Sequence, residues 1–489
     1  MSVALRARRR LTLRTSRQRG EHTPMGYTDL RGLSVSTLSA DALTAYERGV
    51  DLFLRWRDGA SDAFESAVAA DPRFALGHCT KAYVAWRTGK PAAAREAHRQ
   101  AMALADDAGD ERERLHVQAV DAMQRSDGSA AHAVMEQIAA QYPTDRIGVR
   151  LLSFMCIAQG NYAGGLEIAR RSLAAWPDDV QFQTMTGFFL EQSGYNAEGF
   201  AMSSRALRND PTNLFAYHAV GHAYVSRGDY RNALETFERA ASLERYGHIL
   251  WHLGEAQAIL GHERLTRDYA TAPSVPMFER AELMWRLEAL RGARVDDAVW
   301  KELAAQGERL LEHADYLTTW MHHWIGVAFA RAGQHDRARA QVERLRRLPA
   351  GRAAGHWSTL GADLLEGEMA FMRGDDAGAT RLMAPAIRRL HEMGGGSREQ
   401  KDVFRDLYVE IQRRLGNANE VIELAQQRLL ANPCHIPSLA ALGWAYGSTG
   451  QQLLQRQADQ QLVDRAAEAG FEPDALELLA ARQRLSPPA

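Results

Sequence analysis

Glycines recurring at a near-constant interval constrain this chain more than any other feature. Gly160, Gly194, Gly228 and Gly261 are separated by 34, 34 and 33 residues, and Gly416 and Gly450 by 34 again; the step from Gly333 to Gly374 is 41. Each is followed by a helix-like stretch with small residues near its middle, such as Asp229-Tyr230-Arg231-Asn232-Ala233-Leu234-Glu235. Several of these stretches run into a proline turn: Asp71-Pro72, Tyr142-Pro143, Trp176-Pro177, Asp210-Pro211 and Asn432-Pro433. A glycine takes the tight turn after a first helix, small residues let a second helix close on it, and proline stops that second helix. Such a helix pair cannot bury its apolar face alone, so neighbouring pairs stack and share one core.

The intervals from Gly89 to Gly160 and from Gly261 to Gly333 each span about two such units. Residues 111–142 and 277–314 have helical apolar spacing and fill them as degenerate repeats, and an opening pair falls near residues 40–70. The expectation is an all-α chain, a curled solenoid of the tetratricopeptide type with about eleven or twelve helix pairs. Its body covers residues 28–415 and carries the ligand groove. Residues 416–489 hold C-terminal repeats, with helices at 417–432 and 437–449, and a capping helix at 451–469 whose outer face is polar. Ser486-Pro487-Pro488-Ala489 reads as a frayed tail.

A net charge of −2 gives the chain no long-range attraction for nucleic acid or anionic membranes, so neither is an expected partner. Cys79, Cys156 and Cys434 lie far apart and form neither a disulfide framework nor a CxxC metal site, which fits a reducing, cytoplasmic setting. No apolar run of about 18 residues is present to span a bilayer. Residues 5–20 gather Arg6, Arg8, Arg9, Arg10, Arg14, Arg17 and Arg19 without an acid. Residues 1–27 therefore read as a disordered basic extension or a transit peptide; the plainer reading starts translation at Met25, where ordinary composition begins.

Setting each turn glycine as position fifteen of its repeat assigns a face to every first-helix residue. In tetratricopeptide-type repeats positions two, five, nine, twelve and thirteen face the concave side, and positions eight and twenty are small where helices meet. His218 and His222 then take positions five and nine of one repeat. In the next, His248, Trp251 and Glu255 take two, five and nine, with His252 at six. His323 takes position five of a later repeat, flanked by His322 and Trp324. Arg150, Thr184 and Phe188 hold equivalent positions upstream, and Glu368 downstream. His218/His222 and His248/His252 are i, i+4 pairs, each presenting two imidazoles on one helical face. First helices about 8–10 Å apart let both pairs converge on one ligand.

Three chemistries suit this set. Imidazoles four apart suit zinc, with Glu255 as ligand or base. The pattern lacks the inner glutamate of HExxH and no cysteine assists, so no cofactor is expected. A divalent metal on His218, His222, His248 and His252 is the alternative. Acid–base catalysis is the second, using His218, His222, His248 and His323, with Glu255, Glu368 or Asp402 to orient them. No GxSxG motif accompanies them, and Cys156 has no evident base. The third is recognition without chemistry, through Arg150, Thr184, Phe188, Trp251, His252, Glu255, His322, Glu368, Gln400 and Lys401. His78, His116, Trp86, Trp176, Trp300 and Trp444 read as packing residues. Gly394-Gly395-Gly396-Ser397 lacks the lysine of a phosphate loop and reads as a helix stop followed by a Ser397 cap, with Gln400 completing a capping box. The stretch Arg337, Arg339, Arg344, Arg346, Arg347 and Arg352 reads as a solvated face.

Further segments carry a family resemblance: Ala70-Asp71-Pro72-Arg73-Phe74-Ala75-Leu76-Gly77-His78, Arg112-Glu113-Arg114-Leu115-His116-Val117 and Tyr142-Pro143-Thr144-Asp145. With them stand His218-Ala219-Val220-Gly221-His222, His248-Ile249-Leu250-Trp251-His252 and Gly394 through Phe404. Over about residues 34 to 415 the chain resembles the tetratricopeptide-repeat protein 38 family. The resemblance implies an intracellular repeat protein with two HxxxH segments and a Gly-Gly-Ser…Gln-basic-Asp segment, and no settled activity. Where that family usually shows an Asn-Asp pair with a nearby histidine, this chain has Met321-His322 and then Trp324, so its ligand or reaction can differ.

The main expectation is a small polar or peptide-like ligand held across His218, His222, His248, Trp251, Glu255 and His323, with the Gln400–Asp402 turn closing the pocket opposite. Beside it stand an enzyme of specialised metabolism using the same histidines, and an adaptor recruiting proteins on its outer face. The pattern admits a homodimer.

Overall fold

The computed structural model describes residues 13–18, 21–106, 108–312, 317–347 and 355–486. Residues 1–12, 19 and 20 of the basic extension, Arg352 and the tail residues 487–489 lie outside them. An antiparallel pair of strands, Leu13–Gln18 with Glu21–Tyr27, precedes the first helix and is the departure from all-helical structure. From Ala40 onward the described chain is α-helix and turn with a short 3-10 helix at Leu390–Glu392, closing with Leu476–Leu485, a helix not foreseen from the repeat period. The repeats expected at 111–142 and 277–314 are the pairs Glu111–Gln124 with Gly128–Gln141 and Met277–Arg291 with Asp297–Leu311.

The register explains how each pair closes. Position eight is glycine in six repeats, at Gly187, Gly221, Gly254, Gly326, Gly367 and Gly443, each deep in the helix pairing. A methyl group on Gly221 would enter the Phe237 ring of the facing helix, and one on Gly367 would enter the Met383 side chain. Position twenty is small for the same reason: Ala233, Ala338 and Ala379 are fully buried. The turn glycine is required by its backbone, since Gly194 and Gly228 have φ of +92° and +72°.

Two compact units are delimited, residues 1–156 with 163–183 and residues 157–162 with 184–489. In the first unit, polar contacts tie segments one repeat or more apart. Arg112 donates to Asp145 (2.8 Å) and to the Ser34 carbonyl (2.6 Å), and His116 Nε2 meets the same Asp145 oxygen at 2.9 Å. Tyr83 donates to the His116 carbonyl (3.0 Å), and Arg146 reaches Asp179 at 2.8 Å. His116 is thus the packed histidine expected, as is His78, whose Nε2 meets the Pro72 carbonyl at 2.9 Å.

In the second unit the chain also returns on itself. The Arg398–Arg414 helix packs on Met277–Arg291. Near the C-terminus, Arg231 donates to the Glu468 carbonyl (3.0 Å), the Glu472 amide to the Leu260 carbonyl (2.8 Å), and Arg291 to Glu477 (2.6 Å). The segment expected to cap the array therefore also binds repeats about 200 residues earlier. The arginine stretch on the His335–Arg347 helix is a solvated, ion-paired face, with Arg337 on Glu308 (2.8 Å) and Arg347 on Glu343 (3.5 Å).

Candidate functional site

Histidines from two consecutive repeats meet inside the second unit. His218 and His222 project from Leu214–Val225, and His248 and His252 from Gly247–Ile259. The ring centroid of His218 is 4.3 Å from His222, 5.0 Å from His248 and 5.0 Å from His252; His252 is 4.5 Å from His222 and 4.8 Å from His248. Nε2 of His218 lies 2.9 Å from Nε2 of His222 and 3.2 Å from Nε2 of His248. Aromatic rings wall the group: Phe237 stacks on His252 at 4.8 Å, Trp251 on His248 at 5.5 Å, and Phe188 stands 5.6 Å from both His218 and His222.

The face these residues share is covered. His218, His222 and His252 are 3%, 0% and 1% exposed, and only the His248 side chain, at 22%, keeps an edge toward solvent. The cover includes the N-terminus of the Arg398–Arg414 helix, whose Glu399 carboxylate accepts from His222 Nδ1 at 2.8 Å. Glu399 also accepts from Gln192 (3.0 Å) and Ser226 (2.9 Å), and Ser226 donates as well to Glu191. A second carboxylate, Glu279, accepts from His248 Nδ1 at 2.6 Å. Beneath them Arg286 donates to Glu282, to Glu255 (3.2 Å) and to the Glu399 carbonyl (3.3 Å), while Trp251 Nε1 donates to Glu282 (2.8 Å).

Burial and charge set the protonation of this group. Burial works to lower His222, but Glu399 and Glu191 raise it above the usual imidazole value. Burial likewise opposes ionisation of Glu399, yet His222 and Arg398 hold it well below the usual carboxylate range. Glu191, buried and facing Glu399, is pushed up to about 7. His252 is lowered well below the usual imidazole value by burial and then by His222 and His248. The surroundings thus favour the ionised form of the His222–Glu399 pair and the neutral form of His252, an arrangement able to give and take protons.

Other expected residues go elsewhere. Trp251 and Phe188 join the centre, and Thr184 is buried on the same helix as Phe188. Glu255 contacts His252 Nδ1 at 3.3 Å. His323 pairs instead with Glu368 at 2.7 Å, and Trp285 donates to that glutamate at 3.0 Å. His322 turns to Gln341 on the next helix at 2.7 Å, because position four faces the partner helix rather than the groove. Arg150 belongs to the first unit, its guanidinium 4.1 Å from the Phe154 ring centroid. Gln400 completes the capping box with Ser397, as its spacing implied. The expectation that the Gln400–Asp402 turn faces the histidines is corrected by one residue. Glu399 makes the contact, while Asp402 is held by Arg405 (2.9 Å) and by Arg428.

Lys401 turns inward to the Met393 carbonyl (2.6 Å) and the Tyr162 hydroxyl (3.4 Å), and burial lowers its ammonium to about 7. The unfolded chain would hold this proton up to about pH 10.4, so between those values the unfolded state binds more protons and stability rises with pH. Thermal unfolding followed from pH 7 to pH 10 should show that rise, and Lys401→Met should flatten it. An unchanged slope in the variant would assign it to other groups.

Among comparisons with known proteins, the family model described as Tetratricopeptide repeat matches residues 216–246, the stretch that carries His218 and His222. Human Superkiller complex protein 3 is 32% identical over 76 residues, 15% of this chain and 5% of that protein's length. Similar solved structures include the APC/C hetero-tetramer Cut9–Hcn1, 13% identical over 91% of this chain and 75% of that one, with a TM-score of 0.45. A human IFIT1 dimer with m7Gppp-AAAA is 15% identical over 89% and 91%, at 0.37. Yeast Tom70 is 11% identical over 90% and 94%, at 0.29. The matched repeat and the stacked helix pairs define the chain as a tetratricopeptide-like helical-repeat protein. No described helix is long and apolar enough to cross a membrane.

Proposed function

We propose that this helical-repeat protein binds a small polar molecule at the histidine centre of its second unit. The observation that carries the proposal is the convergence of four imidazoles from consecutive repeats, with the ring centroids of His218 and His252 4.3–5.0 Å from each other and from the other two, and only His248 partly exposed. An extended peptide needs a row of exposed groove side chains, whereas these point into the unit. Glu191, Glu279 and Glu399 around the rings favour a ligand that carries hydrogen-bond donors or positive charge. Within the helical-repeat proteins we place the chain with the tetratricopeptide-repeat protein 38 family, on the HxxxH and Gly-Gly-Ser segments it resembles.

A thermal-shift screen of small amines, polyols and short peptides tests the reading, with wild type, His248→Ala and the distant His262→Ala in parallel. A ligand at about 100 times its Kd should stabilise wild type and His262→Ala by about 2.7 kcal/mol and His248→Ala far less. Equal stabilisation of all three proteins, or a response to long peptides alone, would sink it.

Catalysis by proton transfer is a second reading, favoured by the chain of contacts from Glu399 through His222 to His218. An adaptor role on the outer face rests on the repeat fold alone.

A further inference from the structure

The nitrogens of the histidine centre face one another, and this holds whether or not a small molecule binds there. Nδ1 of His248 is committed to Glu279 and Nδ1 of His222 to Glu399, so both rings turn Nε2 toward Nε2 of His218, at 3.2 and 2.9 Å. An imidazole nitrogen has one in-plane position, a hydrogen or a lone pair, and that of His218 is shared between two neighbours. His252 Nε2 is fully buried and has no hydrogen-bond partner. A ring nitrogen from each of His218, His248 and His252 lies within 4.8 Å of the others.

We infer that His218, His248 and His252 bind one divalent transition-metal ion. Tetrahedral Zn–N bonds of about 2.0–2.1 Å set ligand nitrogens roughly 3.3 Å apart, close to the 3.2 Å between His218 and His248. Glutamate on the far nitrogen of a metal-binding imidazole fixes its tautomer and aim, which is the part Glu279 plays for His248. Nitrogen donors without thiolate suit zinc, cobalt or nickel and disfavour calcium and magnesium. His248, the partly exposed ligand, gives the ion its way in.

The test uses the full chain without a histidine tag, stripped with chelator and titrated with Co2+. One cobalt per chain should bind with visible d–d absorption and be displaced by Zn2+. Glu279→Gln should weaken binding about 10–100-fold, His248→Ala should abolish the absorption, and His262→Ala should leave it intact. Circular dichroism confirms that each variant is folded. Folded wild type that takes up no cobalt, or cobalt spectra unchanged in His248→Ala, would overturn the assignment. The screen repeated on stripped protein separates the two proposals: small-molecule shifts without cobalt binding retire the metal alone, and cobalt binding without any shift retires the ligand alone.

Discussion

Replacing Arg286 by alanine is expected to destabilise the second unit by about 3–5 kcal/mol, the cost of removing one partner from a buried ion pair. Arg286 is 2% exposed and holds Glu282, Glu255 and the Glu399 carbonyl, so its loss strands two buried carboxylates. It also removes a tie between the Met277–Arg291 helix and the helix that supplies Glu399. Burial already raises Glu255 and Glu282, with Arg286 opposing in both, so loss of the guanidinium raises both further. Urea unfolding monitored at the buried tryptophans measures the loss. The double change Arg286→Met with Glu282→Leu removes one stranded carboxylate with the guanidinium and should recover part of the loss, Glu255 still lacking its partner, because an apolar pair of similar volume can replace a buried ion pair. A single variant within about 0.5 kcal/mol of wild type, the range of ordinary surface substitutions, would show that Arg286 is not the tie described.

Asp145→Ala should cost the first unit a similar amount, about 3–5 kcal/mol. Its carboxylate serves Arg112 and His116, both fully buried, and also accepts from the Gly148 amide (2.9 Å) at the start of the Arg146–Ala158 helix. Burial opposes its ionisation, but His116 and Arg112 hold it well below the usual carboxylate range. A depressed carboxylate contributes stability above its unfolded value of about 3.9 and loses it as pH falls toward the folded one. Asp145→Asn keeps the cap and removes the charge; it should therefore retain roughly the 1 kcal/mol of a helix cap and lose the rest. Equal losses for alanine and asparagine would assign the whole effect to charge, and a loss confined to alanine would assign it to the cap.

The repeat period made most of this architecture legible. The glycine interval placed the helix pairs, and the register placed His218, His222 and His248 on the face where they meet. Carried to positions twelve and thirteen, the same register reaches Glu191, Gln192 and Ser226, all of which join the centre. Glu279, Glu282 and Arg286 escaped because the next turn glycine, Gly292 (φ +65°), follows Gly261 after 31 residues instead of 34. Counted from Gly292, they occupy positions two, five and nine. Glu399 could not be found in this way. It meets His222 across 177 residues, and a local period carries no record of where a chain returns on itself. That return buries the centre and makes Glu399, in place of Asp402, the contact.

The most direct measurement is a crystal structure of the protein with the small molecule that stabilises it most. Its density is expected within hydrogen-bond distance of His248 and the His218–His222 pair, with Glu399 and Glu279 still on their histidines. Density bound elsewhere, with the four imidazoles undisturbed, would contradict the placement of function at this centre.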